Sequence, residues 1–479
     1  MNGTLRTFLM VALVVAILLG LHFLPPISIG DRPLRRVNIL SDLLPPDSSR
    51  HPAVLAQIPD LPEVPVRTST TDRLTAKPEA ADSMAASDSL TEAPAIERPV
   101  VPEGVTMILD YGQGQPGGMD HFYSQLARID AMDRPLRIAY FGDSFIEGDI
   151  LTADLREQLQ EQYGGCGVGW VDCASQIAGF RQSVGHSFSG LDEHEVVRRP
   201  FSRQRQGLAQ RYFTAADSVA TITLRGSRHR RHLDKWQRAT LFLRTDTDLL
   251  LTTIVGSDTL SQTIGASAGL QTIGNRYTAR RISYRLSALT PAASLYGVAL
   301  EGKSGIVVDN FSMRGSSGTT LADIPASTLQ QFADVRPYDL LVFHFGLNVA
   351  NEKFHTEGYD FYIKAMGQAI EHLRQAWPQA SILVVSMPDR DQRTDQGLRT
   401  MLGVETLVSW QQLMAARHHV AFFNLFQAMG GPESMALLVD RGLANKDYTH
   451  LNFSGGRRLA TLLTQSLNAG FDNYQHTAP

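Results

Sequence analysis

The sequence predicts an α/β protein: a doubly wound parallel sheet carrying an inserted β-sandwich domain, with an N-terminal transmembrane helix ahead of both. Three observations predict it. Short apolar runs, each suited to a buried parallel strand, alternate with stretches of helical period on both sides of residues 179–302. Within 179–302 the pattern changes to alternating stretches punctuated by Gly, Asp and Asn, as antiparallel strands with one buried face require. Near the start, Phe8 to Leu24 is apolar apart from Gly20 and His22 and ends at Pro25-Pro26, close to the lower limit of about 17–25 residues for a spanning helix.

Taken in order, residues 7–24 are expected to form the anchor. A cleaved signal peptide is the alternative, although no convincing small-x-small cleavage site follows and there is no cysteine for lipid attachment. Arg6 precedes the segment while Arg32, Arg35 and Arg36 follow it, so charge does not set its orientation. Residues 25–104, rich in Pro, Ala, Ser, Thr, Asp and Glu over most of their length, carry too little apolar surface to offset the entropy of ordering and read as a disordered tether. Ordered structure is expected as 105–178, the insertion 179–302, and 303–479. Asp120–Met132 has helical spacing with Asp120 as a plausible N-cap, and Pro135 ends it. The apolar run after Arg137, then Ile306–Phe311, Leu340–Phe345, Ser381–Ser386 and Val420–Leu425, are the expected strands. Helical patterns fall at about 320–334, 358–376, 399–417 and 455–469.

Composition narrows the function. At 479 residues there is room for two or three domains of about 100–200 residues. A net charge of -4 gives no reason to propose nucleic acid as a partner. Cys166 and Cys173 are the only cysteines, too few for a zinc site unaided and without Cys-x-x-Cys spacing. A local disulfide and two reduced thiols both remain open. His229 with His232, and His418 with His419, lack further ligand partners, so no metal or cofactor is expected.

The chemistry centres on Gly142-Asp143-Ser144. Ser144 falls on a strand-to-helix turn, at the carboxyl edge of a strand where open α/β sheets bind ligands and where helix N–H groups are unpaired. Near the end, Asp447-Tyr-Thr-His450 spaces a carboxylate and an imidazole three residues apart, so Asp447 can orient His450 through one ring nitrogen. The other nitrogen is then free to take the proton of a serine, a weak nucleophile that needs such a base. Glu147 and Asp149 are read as favourable charges at a helix start, and His344 as a packed strand residue. The basic run Arg228–Lys235 before Trp236 is read as a solvated loop or as a contact for an anionic glycan.

These blocks resemble those of the SGNH, or GDSL, hydrolases. Gly142-Asp143-Ser144 is similar to the first block and Asp447-x-x-His450 to the fifth. Gly346-Leu-Asn348 resembles the third, in which the Asn side chain donates to the oxyanion, and Met313–Thr320 resembles the second, in which a glycine N–H donates. Gly318 aligns with that glycine better than Gly315. The resemblance implies a flavodoxin-like hydrolase fold, Ser144, Asp447 and His450 as the catalytic set, and Ser144, Gly318 and Asn348 as oxyanion donors. The Gly142–Asp149 stretch and the Gly164–Trp170 turn are similar to the peptidoglycan O-acetylesterase branch, whose members carry a carbohydrate-binding-like module between the first and second blocks. Its implication is a serine esterase that removes O-acetyl groups from envelope polysaccharide, with peptidoglycan as the substrate partner; an anchor followed by a long tether suits an immobile polymer, so the expected placement is an inner-membrane anchor with a periplasmic catalytic module. An O-acetyltransferase using the same serine is the nearest alternative. An inactive glycan-binding protein and an esterase for small or lipid esters are the others.

Overall fold

The computed structural model describes residues 99–477 and the backbone of 28–29 and 32–33. The expected anchor, 7–24, and nearly all of the expected tether lie outside the described residues. Among those described, no helix is long and apolar enough to cross a membrane.

The central sheet has six strands, in the order Ile306–Ser312, Leu136–Gly142, Leu340–His344, Ser381–Val385, Ala421–Phe423 and Leu109–Asp110. The first five are parallel. Their side chains are almost wholly buried, which is why the sequence shows continuous apolar runs rather than alternation. The expectation of a purely parallel sheet needs one correction: Leu109–Asp110 adds an antiparallel edge against Ala421 and Phe422. Two residues carry no periodicity from which such a strand could be read.

Two helical layers complete the unit. Thr152–Tyr163 packs on Phe453–Thr477, and Asp360–Ala376 packs between Ala326–Val335 and Val404–Arg417. The strand order reverses around Leu136–Gly142, the position at which doubly wound sheets open a crevice at their carboxyl edge. Gly142 is level with Ser312 on one side and His344 on the other. Three loops therefore leave the sheet together, carrying Ser144, Gly318 and Asn348.

Between Gly169 and Glu301 the chain forms two antiparallel sheets. One contains Val184–Ser189, Val219–Gly226, Leu249–Val255, Asp258–Ile264 and Arg281–Ser287. Ala220, Ile222 and Leu224 point inward and their neighbours outward, with Ile282, Tyr284 and Leu286 repeating the pattern on the paired strand. Those residues form a core with Leu241, Leu243, Leu295 and Val298 of the second sheet. Its central strand, Ser294–Glu301, is buried throughout because its other face packs on the hydrolase core. There Trp170, Phe242, Tyr296, Phe311 and Phe332 form one aromatic cluster, with neighbouring ring centroids 5.1–6.1 Å apart. Gly169–Asp172 pairs with Ser294–Glu301, so this sheet recruits chain ahead of residue 179; the glycine-rich sequence there reads as a turn. Cys166 and Cys173 are both free thiols, and Cys173 is buried in the sandwich core.

Candidate active site

Ser144 opens a short helical turn, Ser144–Asp149, directly after the strand Leu136–Gly142. A residue at that position has no acceptor for its N–H within the turn, which leaves the N–H available to a ligand. Asp143 fixes the turn. Its carboxylate accepts from the Phe145 N–H at 2.9 Å and from the Leu347 N–H at 3.3 Å, tying the serine loop to the Asn348 loop. Burial pushes the Asp143 carboxyl up to about 6, against the opposing pull of those N–H groups.

The Ser144 hydroxyl lies 3.0 Å from His450 Nε2, and His450 Nδ1 lies 2.8 Å from Asp447 Oδ2. Asp447 also accepts the backbone N–H groups of Thr449 and His450, each at 3.0 Å. It caps the turn and orients the ring at once. Burial pushes the Asp447 carboxyl up, but the N–H and ring of His450 outweigh this and hold it below the usual carboxylate range. An ionised Asp447 keeps the proton on Nδ1, which leaves Nε2 as the base toward Ser144. The Asp447 and His450 side chains are 49% and 38% exposed, so water reaches the base.

The loop carrying His450 is pinned from several directions. Asp391 N–H donates to Tyr448 O at 3.1 Å, Asn445 N–H donates to His450 O at 2.8 Å, and Asn452 caps the last helix through the Ser454 and Gly455 N–H groups.

Gly318 and Asn348 meet around Ser316. Asn348 Nδ2 donates to Ser316 O at 3.0 Å, which leaves its second amide hydrogen for another acceptor. The Gly318 N–H is engaged by Ser316 Oγ at 3.0 Å. Gly318 has φ +86°, and a Cβ there would come within 2.7 Å of the Phe345 ring, so the position requires glycine. Behind this loop the buried Gln411 accepts the Met387 N–H at 2.9 Å and donates to Phe345 O at 2.7 Å. Asp143 and Gln411 are the supports that sequence reasoning missed. Asp143 shows no signal of its role beyond its place in the motif, and Gln411 shows none.

Other polar residues have structural partners. His344 is buried with Nδ1 3.0 Å from the Tyr140 hydroxyl, and burial pushes its ring down to about 3. Asp149 is not merely a helix-start charge: it is buried and holds Arg156, Arg181, Thr152 and Ser183. The basic run joins the insertion to the helix Thr152–Tyr163, with Arg230 on Asp154 at 2.9 Å, Arg231 on Glu161 at 3.2 Å and His232 on Glu157 at 3.0 Å. Trp236 is buried. Glu157, Glu161 and His232 could each offer a ligand atom to a metal, so His232 has nearby ligand partners that its spacing in the sequence does not show.

A doubly wound sheet bearing this Ser–His–Asp arrangement, with Asn348 on the neighbouring loop, defines an SGNH-type serine esterase. The GDSL-like Lipase/Acylhydrolase family matches residues 261–458, a span that includes Gly318, Asn348, Asp447 and His450 while Ser144 lies upstream, beyond most of the insertion. Among solved structures, a peptidoglycan O-acetylesterase is similar at 22% identity and a TM-score of 0.60, over 76% of this chain and 99% of that one. A family two carbohydrate esterase from Cellvibrio japonicus is similar at 10% identity over 60% of this chain and 99% of that one, with a TM-score of 0.24. At these identities the first supports the fold alone, and the second carries no argument. No curated protein matches the sequence.

Proposed function

We propose that the protein is a membrane-anchored, periplasm-facing esterase that removes O-acetyl groups from cell-envelope polysaccharide, with peptidoglycan as its substrate. The observation that carries the reaction is the continuous hydrogen-bonded path from Ser144 through His450 to Asp447. Ser144 Oγ attacks the acetyl carbonyl as His450 Nε2 takes its proton. The oxyanion is held by the Ser144 N–H, the second Asn348 amide hydrogen, and the Gly318 N–H once it turns from Ser316 Oγ. His450 then protonates the departing sugar oxygen, leaving acetyl-Ser144. Water gives a proton to His450 as it attacks this ester, and acetate leaves with Ser144 reprotonated.

Exposure of His450 supports water over a sugar as the final acceptor, favouring hydrolysis over acetyl transfer. The polysaccharide assignment is supported by the similarity to a peptidoglycan O-acetylesterase and by the β-sandwich inserted between the Ser144 and Gly318 loops, where the sequence resemblance implies a carbohydrate-binding-like module. The apolar segment 7–24 and the tether to residue 104 suit action on an immobile polymer from a membrane anchor.

The test is acetate release by the full-length protein from O-acetylated peptidoglycan, beside O-acetylated xylan and the Ser144→Ala variant. Serine-dependent release from peptidoglycan in preference to xylan is expected. Equal or greater release from xylan would overturn the substrate assignment, and acetyl-Ser144 that discharges only onto an added sugar would make the protein a transferase.

A further inference from the structure

A cleft of about 340 Å³ lies where the insertion meets the catalytic turn, within the range of about 300–1,000 Å³ common to small-ligand sites. Ser144, Asn348 and His450 do not line it. Its hydrolase side begins three residues beyond Ser144, at Glu147, and includes Arg314; the insertion supplies Glu193, Glu195, Arg198 and Arg211. It is an extension beside the reacting centre rather than the acetyl pocket itself.

The lining alternates carboxylates and guanidinium groups. Arg314 pairs with Glu147, Arg198 Nε lies 3.3 Å from Glu195, and Arg211 lies 2.7 Å from Asp172 and 3.5–3.6 Å from Glu193 and Glu195. Arg211 is buried, and among the described residues its Nε has no hydrogen-bond partner. Burial, reinforced by Glu195 and Asp172 against the pull of Arg211, pushes the Glu193 carboxyl up to about 7. The acidic and basic groups then nearly balance. Such a lining offers acceptors and donors side by side, which suits the hydroxyl and amide groups of an uncharged sugar and gives no net attraction for an ion.

Beside this cleft, against Gly148 of its lining, lies an exposed aromatic ring. Phe180 is 47% exposed, although it is large and apolar. Its ring centroid lies 5.1 Å from that of Phe453, three residues after His450. It also lies directly on Gly148, where φ is +62° and a Cβ would come within 2.6 Å of the ring. Glycine at 148 thus lets the ring rest on the backbone of the catalytic turn. A flat apolar surface at that place can take the apolar face of a sugar while the neighbouring polar groups take its edge.

We infer that Phe180 and the adjoining cleft form a saccharide subsite, holding the uncharged sugar units that flank the O-acetylated one. This rests on the esterase reading above. The test uses the full-length protein and two surface variants, Phe180→Ala and Arg198→Ala, with two measurements. In the first, kcat/KM for O-acetylated peptidoglycan oligomers is divided by kcat/KM for 4-nitrophenyl acetate. Each variant is expected to lower this ratio about tenfold or more, chiefly through KM for the oligomer. In the second, a Ser144→Ala background is titrated calorimetrically with de-O-acetylated glycan oligomers, and adding Phe180→Ala is expected to raise Kd by about tenfold. An unchanged ratio in both variants together with an unchanged Kd overturns the subsite. Failure of the polysaccharide assignment is seen separately, as wild-type protein that cleaves 4-nitrophenyl acetate and releases no acetate from the glycan; the titration still decides whether the cleft binds sugar.

Discussion

Asp447 accepts three hydrogens from the four residues it begins, and its two oxygens divide the work. Oδ1 takes the Thr449 and His450 N–H groups and Oδ2 takes the His450 ring. Asp447→Asn can keep the turn through its remaining oxygen but presents an NH₂ to Nδ1, forcing the proton onto Nε2. We expect kcat to fall by about 10³–10⁴ with little change in thermal stability, approaching the effect known for the wrong tautomer in serine proteases. Steady-state kinetics beside a melting curve check both halves. Asn348→Ala removes a side-chain donor while leaving the base intact, so a loss of about 10²–10³ in kcat is expected, with KM nearly unchanged. A loss confined to KM would remove Asn348 from the oxyanion role. Ser144, Asp447 and His450 were legible because their chemistry needs those side chains at recognisable turns. Asp143 as a support was not, since its Leu347 partner lies 204 residues away.

At the scale of the element, the last helix and its leading loop act together. Asn452 accepts the Ser454 and Gly455 N–H groups at 3.0 and 3.1 Å and donates to Gly442 O at 2.7 Å, holding both ends of the turn that presents His450. Asn452→Ala should therefore cost about 1–2 kcal/mol of stability, as lost caps do. It should also lower kcat several-fold, because His450 is two residues upstream. Denaturant unfolding and kinetics on 4-nitrophenyl acetate measure the two effects, and an unaltered kcat would mean that the Asp447 turn holds itself. The parallel strands were readable as apolar runs, and the strands of the insertion by alternation. The hairpin Asp391–Thr394 and Gly397–Thr400 was not, because the expected helical pattern began at about 399 while the helix itself starts at Val404. Asp391, Arg393, Thr394 and Arg399 supply no apolar face from which to read a strand.

The whole molecule depends on a buried ionic network that no local pattern reveals, since its members come from three separated stretches. Glu301, on the last strand of the insertion, lies 2.7 Å from Arg137 on the first hydrolase strand and 3.0 Å from Arg336; Arg336 in turn lies 2.6 Å from Asp309, which accepts the Tyr338 hydroxyl at 2.6 Å. Burial pushes the Glu301 carboxyl up, but Arg336 and Arg137 overcome this and bring it down to about 2. Because its carboxyl is lowered on folding, Glu301 contributes stability that is present above its unfolded value of about 4.5. That contribution is lost as pH falls through about 2. Glu301→Gln leaves the buried Arg137 guanidinium without its carboxylate and Arg336 with Asp309 alone, a change that costs about 3–5 kcal/mol in comparable sites. Urea unfolding of wild type and variant at pH 7 should show that gap, and repeating it at lower pH should narrow the gap between about pH 4.5 and the lowest pH at which the wild type still folds, because the wild type loses what the variant already lacks. A gap independent of pH would assign the loss to packing rather than to charge. Arg137 and Asp309 lie on the paired strands that lead to Ser144 and the Gly318 loop, so the carboxylates that tie the insertion to the hydrolase also tie together the two strands from which the catalytic loops leave.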